Sequence, residues 1–243
     1  MYIVLLTAIG VGGATIFGAI IGFVFKKISH KFSDIILAFG AGVMLSASVL
    51  GLILPSVDYG GEYGVLITIF GIFVGAIAID LIERSVPHIN NLIPTVNLEN
   101  ESCKRVFLLV MAIAIHNLPE GIAAGVGFGT GEISSAIMIA VGIALQNIPE
   151  GMVLIGPMLS VGISPKKTLF YAMLTGVIEI IGTFIGYFTV NISSAILPFA
   201  LSFAGGTMLY VISNEMIPET HSHGNERGAS YALLLGFCLM LLF

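Results

Sequence analysis

Apolar runs long enough to cross a bilayer follow one another along almost the whole chain, separated by short polar or turn-rich segments. A bilayer core requires roughly 20 apolar residues per helix, so each run predicts a membrane-spanning helix. Only 9% of the residues are charged and 57% are hydrophobic, which leaves too little polar surface for a water-soluble globule. We therefore expect an all-α polytopic membrane protein, with the lipid bilayer as its solvent and no nucleic-acid partner.

The apolar runs and the breaks between them divide the chain into eight segments, which we expect to form a single transmembrane domain over residues 1–243. The first run has no basic segment before it, which favours a retained helix over a removable signal peptide. The longest break, residues 83–105, predicts a flexible loop. The predicted helices cover residues 3–25, 34–54, 63–82, 106–128, 133–157, 168–190, 195–217 and 229–243, the last being the shortest.

The basic residues predict the orientation of these helices. All nine lysines and arginines fall in or beside alternate loops, and the opposite loops contain none. Loops rich in lysine and arginine remain in the cytoplasm, so these alternate loops are predicted to be cytoplasmic and both termini to lie outside. An even number of helices fits this segregation.

Two internal repeats are visible in the sequence. In the fourth and fifth predicted helices, His116–Gly121 (HNLPEG) matches Gln146–Gly151 (QNIPEG) at four of six positions. In the second and seventh, Leu37–Leu45 resembles Leu201–Leu209, 164 positions later. Because the second and seventh helices are predicted to cross in opposite senses, this pattern is typical of the inverted repeats of secondary transporters. The alternative is that small residues recur only because they let membrane helices pack closely.

Four ionisable residues lie deep within predicted spans: His116, Glu120, Glu150 and Glu179. Each would cost about 2.5 to 3.5 kcal/mol at the bilayer centre if it had no partner. His116 and Glu120 are separated by four residues and so project from one helical face, as do Gln146 and Glu150.

Proline lies within each of these motifs, and Pro119 and Pro149 are predicted to interrupt their helices and free carbonyl groups. No basic residue lies in any predicted span, so a dication would supply the missing positive charge. Imidazole and carboxylate ligands together suit zinc, iron or manganese. The alternatives are a buried hydrogen-bond network with protonated acids, or a proton pathway.

Other polar residues are interpreted differently. Asp80 and Glu215 lie near predicted cytoplasmic helix ends and are expected to be solvated rather than to bind metal. His221 and His223, together with Glu219, could form a metal-exit site, but a solvated loop is the favoured interpretation.

The paired HNLPEG and QNIPEG motifs resemble the fourth and fifth helices of the ZIP (Zrt/Irt-like) metal transporters of the prokaryotic ZupT and GufA type. The resemblance implies eight helices in a 3+2+3 arrangement with inverted repeats, and transport of zinc, and often iron, manganese, cobalt or cadmium, across the cell membrane toward the cytoplasm. It implies an elevator-like movement of helices one, four, five and six. The metal would be the substrate rather than a cofactor, and a homodimer is compatible with such a protein.

The resemblance also implies a binuclear metal centre at mid-membrane. Asn147 departs from members of the family that have aspartate there, which makes the second site less negative. The first site would be lined by Met44, His116, Glu120, Gln146 and Glu150, and the second by Asn117, Asn147 and Glu179, with Glu120 and Glu150 bridging the two.

Functions of other classes are an intramembrane zinc metalloenzyme and a metal-sensing membrane protein. The enzyme is disfavoured because the chain has no His-Glu-x-x-His motif and no second histidine within a predicted span. A sensor would bind metal without transporting it.

Overall fold

A computed structural model describes residues 1–25, 29–89 and 101–242, and these residues form helices and turns without any β-strand. Eight helices occur where eight were predicted. Seven are long and apolar enough to cross a membrane, whereas the eighth has only 15 residues. The eighth crossing and the outside location of both termini therefore stay predictions. The helices are α1 Tyr2–Val24, α2 His30–Tyr59, α3 Gly64–Ile89, α4 Glu101–Val126, α5 Ile133–Ser160, α6 Pro165–Ile192, α7 Leu197–Thr220 and α8 Glu226–Met240.

The boundaries around the longest predicted loop were wrong. Helix α3 continues to Ile89 and helix α4 already begins at Glu101, so residues 83–89 and 101–105 are helical; residues 90–100 lie outside the described residues. A helix does not have to end where its apolar run ends, because glutamate and arginine are good helix formers in water. The extension matters because it places Glu83 on a helix that faces the centre of the bundle.

The repeat-related helices α2 and α7 both widen into a π-helical turn. The widened segments are Ala47–Ile53 and Ile212–Met216, and each is followed by a proline, Pro55 or Pro218. Proline has no amide hydrogen, so a carbonyl group of the preceding turn loses its partner, which favours such a local change in winding. The turn in α7 contains Glu215, which therefore lies out of the regular α-helical register.

Glycines hold α1, α4, α5 and α6 together at backbone distance. A Cβ atom at Gly12 of α1 would lie 2.3 Å from the carbonyl oxygen of Gly176 of α6, so the two backbones touch. These two glycines are 164 positions apart, the spacing of the α2–α7 repeat. Two more glycine pairs have this spacing: Gly18 with Gly182, and Gly22 with Gly186. In each pair the α1 glycine packs against α5 and the α6 glycine packs against α4.

The other four helices form two further close pairs. Gly42 of α2 lies against the backbone of Leu233 in α8, and Gly206 of α7 lies against that of Ile72 in α3. The boundary with the first group is looser: a Cβ at Gly142 of α5 would lie 2.9 Å from Cε of Met240, and one at Gly40 of α2 would lie in ordinary van der Waals contact with Gln146. We call α1, α4, α5 and α6 the inner group and α2, α3, α7 and α8 the outer group.

Candidate metal centre

The two repeated motifs lie side by side on α4 and α5 of the inner group. Pro119 and Pro149 lie inside continuous helices, so the prediction that they interrupt the helices was wrong. Proline removes only its own amide donor, and the surrounding helix packing retains the helical path. The motif side chains therefore project from regular helices, with fixed spacing.

A chain of buried hydrogen bonds links the second motif to its neighbours. Nε2 of Gln146 donates to Oε2 of Glu120 at 2.6 Å and also to Oδ1 of Asn147. Nδ2 of Asn147 donates to Oε1 of Glu179, and the Thr15 hydroxyl donates to Oε2 of the same carboxylate at 3.2 Å. All five side chains are buried. Helices α1, α4, α5 and α6 thus each bring at least one polar residue to a common site, which we call the polar centre.

Several ligand-type atoms at this centre have no protein partner. Asn117 is fully buried, yet neither its amide nitrogen nor its amide oxygen makes a hydrogen bond. Oε1 of Gln146 and Oε2 of Glu150 are buried and unpaired as well. A buried polar atom without a partner costs free energy, and native proteins rarely leave several together. Amide and carboxylate oxygens are metal ligands, so this arrangement is suited to binding a cation.

His116 lies in a second cluster with two acids. Its Nε2 is 2.9 Å from Oε1 of Glu215 and 3.6 Å from Oε1 of Glu83, so α3, α4 and α7 each supply one residue. The ligand atoms of the three residues all lie within 4.8 Å of one another. The interpretation of Glu215 as a solvated helix-end residue was therefore wrong. The π-helical turn is the physical reason, because it directs Glu215 to the histidine.

Asp80, the other residue interpreted as a helix-end acid, has local partners. It forms an ion pair with Arg84 at 2.9 Å, one turn away, and accepts a hydrogen bond from the Tyr210 hydroxyl at 2.8 Å. These contacts join α3 to α7 within the outer group. Met44 lies in the apolar core beside Ala41, on a helix of the outer group, whereas the other predicted ligands all belong to the inner group.

One cavity of about 970 Å³ connects the polar centre with one end of the bundle. His116, Glu120 and Glu150 line its deep part, and His30, Glu219 and His223 line its mouth. The mouth lies at the beginning of α2 and the end of α7, where the basic residues predict the cytoplasmic side. On the opposite side, the apolar residues Val11, Ala123, Ile143 and Leu201 pack without exposed surface, so they close the bundle.

Comparison with known proteins identifies the family. The family model described as "ZIP Zinc transporter" matches residues 95–243. The chain is 34% identical to the zinc transporter GufA of Myxococcus xanthus, over 95% of this chain and 93% of that protein. The chain belongs to the ZIP zinc transporter family. It is also 34% identical to the zinc transporter ZIPB of Bordetella bronchiseptica, over 94% of this chain and 76% of that protein. The human zinc transporter ZIP11 is 42% identical over a shorter stretch, 58% of this chain and 43% of that protein.

Membership in the ZIP family confirms the resemblance and two further predictions. The chain is a multi-pass protein of the cell membrane, with seven helices in its described part long enough to span it, and it is a transporter rather than an enzyme.

Two residues of the metal centre of this ZIP-family chain were not predicted from the sequence. Glu83 was placed in a loop, although Asp80 and Arg84 beside it have the spacing of a helical ion pair, a signal that the helix continues. Thr15 is one of two threonines in the first apolar run, and nothing in the sequence distinguishes it from a threonine that bonds its own helix. Only the contact between α1 and α6 brings it to Glu179.

Proposed function

We propose that this chain carries divalent transition-metal ions, zinc above all, through the polar centre and into the cytoplasm. The observation that carries the proposal is the set of buried acids and unpaired amide and carboxylate oxygens at one level of the bundle. Among the described residues no lysine or arginine is buried, so none of these side chains balances the acids. A bound dication would balance them, and relatives such as GufA and ZIPB are named zinc transporters.

The cavity supports the direction of transport. Its mouth lies at the helix ends predicted to be cytoplasmic, while apolar packing closes the other side, an arrangement suited to releasing an ion inward. The cluster of Glu83, His116 and Glu215 borders the same route. We propose that an ion leaving the polar centre passes this cluster, because imidazole and carboxylate together suit zinc.

We propose that the polar centre holds two neighbouring ions. The first would bind to Met44, His116, Glu120, Gln146 and Glu150, and the second to Asn117, Asn147 and Glu179 together with the two shared glutamates, Glu120 and Glu150. The unpaired amide of Asn117 and the hydrogen bonds between Asn147 and its neighbours support the second site. Because Asn147 is neutral, the second site should bind a dication more weakly than the first.

The packing of the helices supports an elevator-like movement of the inner group against the outer group. Close backbone contacts at glycine bind α1, α4, α5 and α6 into one unit, whereas Gly142 and Gly51 at the boundary meet side chains and Gly40 makes only ordinary van der Waals contact with Gln146. Sliding at the boundary would leave the close glycine contacts within each group intact. The carboxylates move with the inner group in this mechanism, and Met44 stays with the outer group.

Zinc uptake into liposomes tests the proposal. Purified protein is reconstituted, and entry of Zn²⁺ is followed with a trapped fluorescent indicator. Glu120→Gln and Glu150→Gln each remove one buried charge with little change in shape, and each should reduce zinc flux at least tenfold. Glu62→Gln removes an exposed acid and serves as the matched control.

Unchanged flux in both buried variants, with protein correctly inserted, would contradict the proposal. Addition of Fe²⁺, Mn²⁺, Co²⁺ or Cd²⁺ to the same assay shows which ions compete with zinc. Binding of zinc without any flux in the unmodified protein would favour the metal-sensing alternative.

A further inference from the structure

A buried carboxylate lies at the mouth of the cavity, apart from the polar centre. Asp34, in the first turns of α2, is only 2% exposed. Its Oδ1 is 2.9 Å from Nδ1 of His223, and its Oδ2 accepts a hydrogen bond from Nδ2 of Asn225 at 2.9 Å. Within the described part of the chain no lysine or arginine forms an ion pair with it. The carboxylate is thus held by the loop between α7 and α8.

The contact with Asp34 determines which nitrogen of His223 is available. When Nδ1 donates its proton to a carboxylate, the lone pair of Nε2 is free to bind a metal, and the orientation of the ring is fixed. The His223 side chain is 31% exposed and lines the cavity. Its Nε2 has only a long contact, 3.4 Å, with the Ser222 hydroxyl.

Two more ligand-type side chains accompany His223 at the mouth. The ring of His30 stacks on that of His223, with 4.6 Å between ring centroids and 26° between planes. Glu219 lines the same part of the cavity. His30 is exposed, so rotation of its side chain can turn a ring nitrogen toward the ion that His223 binds. Two imidazoles and one carboxylate form a ligand set typical of zinc.

We propose that His223, His30 and Glu219 form a binding site for a borderline-soft dication such as Zn²⁺ at the mouth of the cavity. Asp34 and Asn225 are positioning residues that hold His223 and its loop. The site belongs entirely to the outer group, because its residues lie on α2, on α7 and in the loop that follows α7. It therefore exists whether or not the inner group transports metal.

Binding of Co²⁺ to the full-length protein in detergent tests the site. Cobalt substitutes for zinc, and its visible absorption reports nitrogen ligands. In a background with Glu120→Ala and Glu150→Ala, which removes the polar centre, His223→Ala should lower the number of bound Co²⁺ ions by one. His30→Ala should weaken the binding of the same ion at least tenfold. Asp34→Asn keeps a hydrogen-bonding side chain of the same shape but loses the charge. This variant should weaken the binding of the ion 10- to 100-fold.

His221→Ala is the matched control, because His221 belongs to the same loop but is occupied by the Ile217 carbonyl and the Ser230 hydroxyl. The number of bound ions should not change in this variant. Elution volume and thermal unfolding of each variant in the absence of metal show whether it is folded. An unchanged cobalt stoichiometry and absorption in folded His223→Ala and His30→Ala would overturn the proposal. Failure of zinc flux in the unmodified protein would leave this result unaffected, so the two proposals fail independently.

Discussion

Replacement of Asn117 by leucine should stabilise the metal-free protein and remove part of its response to metal. Both polar atoms of the Asn117 amide are buried without partners. A buried unsatisfied group costs about 1–3 kcal/mol, and the low end applies in a membrane, where the unfolded state also shields polar groups. Leucine has the same branched shape and no polar atoms. At about 1 kcal/mol for each of the two unsatisfied atoms, less about 1 kcal/mol for fitting the bulkier methyl groups, the expected gain in unfolding free energy is about 1 kcal/mol.

Unfolding measured in detergent, with and without zinc, tests this prediction. A ligand present at 100 times its Kd stabilises a protein by about 2.7 kcal/mol, and Asn117→Leu should lose a large part of that gain. Asn191→Leu is the matched control, because Asn191 is exposed and bonds only to the Tyr187 carbonyl among the described contacts. The reasoning would be refuted if Asn117→Leu lowered the metal-free stability, or kept the full zinc-induced gain, while the control behaved like the unmodified protein.

Further predictions concern the packing of the inner group and the release route. Gly151→Ala should destabilise the protein by about 1–3 kcal/mol, because the new Cβ would lie 2.1 Å from a backbone carbonyl oxygen of α1. Gly156→Ala, with no atom within 4 Å of the new Cβ, should be neutral or stabilising by up to about 1 kcal/mol in the same unfolding assay. Glu215→Gln should reduce zinc flux into liposomes several-fold because it removes the charge beside His116. Glu226→Gln removes an exposed acid and should leave the flux unchanged. Equal fluxes in the two variants would contradict a role of Glu215 in release.

The helices could be predicted from the sequence because lipid leaves few choices. An apolar run must form a helix that satisfies its own backbone, so all eight helices occur near their predicted positions. The ends were less well determined, since water on either side of the bilayer also permits a helix. This is why the extension of α3, and with it the location of Glu83, was missed.

The polar centre could be predicted in part. The duplicated motif indicated Glu120, Gln146 and Asn147 as neighbours, and the hydrogen bonds connect them. The partner of His116 could not be predicted, because Glu215 is directed inward by a local change in helical winding that no residue pattern specified. The sequence showed the α2–α7 repeat, and the contacts extend it to α1 and α6 through glycines that have the same spacing.

The size of the cavity has a consequence for how quickly an ion can escape. A volume of about 970 Å³ holds roughly 30 water molecules at about 30 Å³ each. A lone ion confined to that volume has a local concentration on the order of 1 M. At that concentration the ion rebinds repeatedly even to weak ligands in the cavity wall, and this rebinding competes with release. Net delivery would then depend on small cytoplasmic chelators that can enter the vestibule and remove the ion.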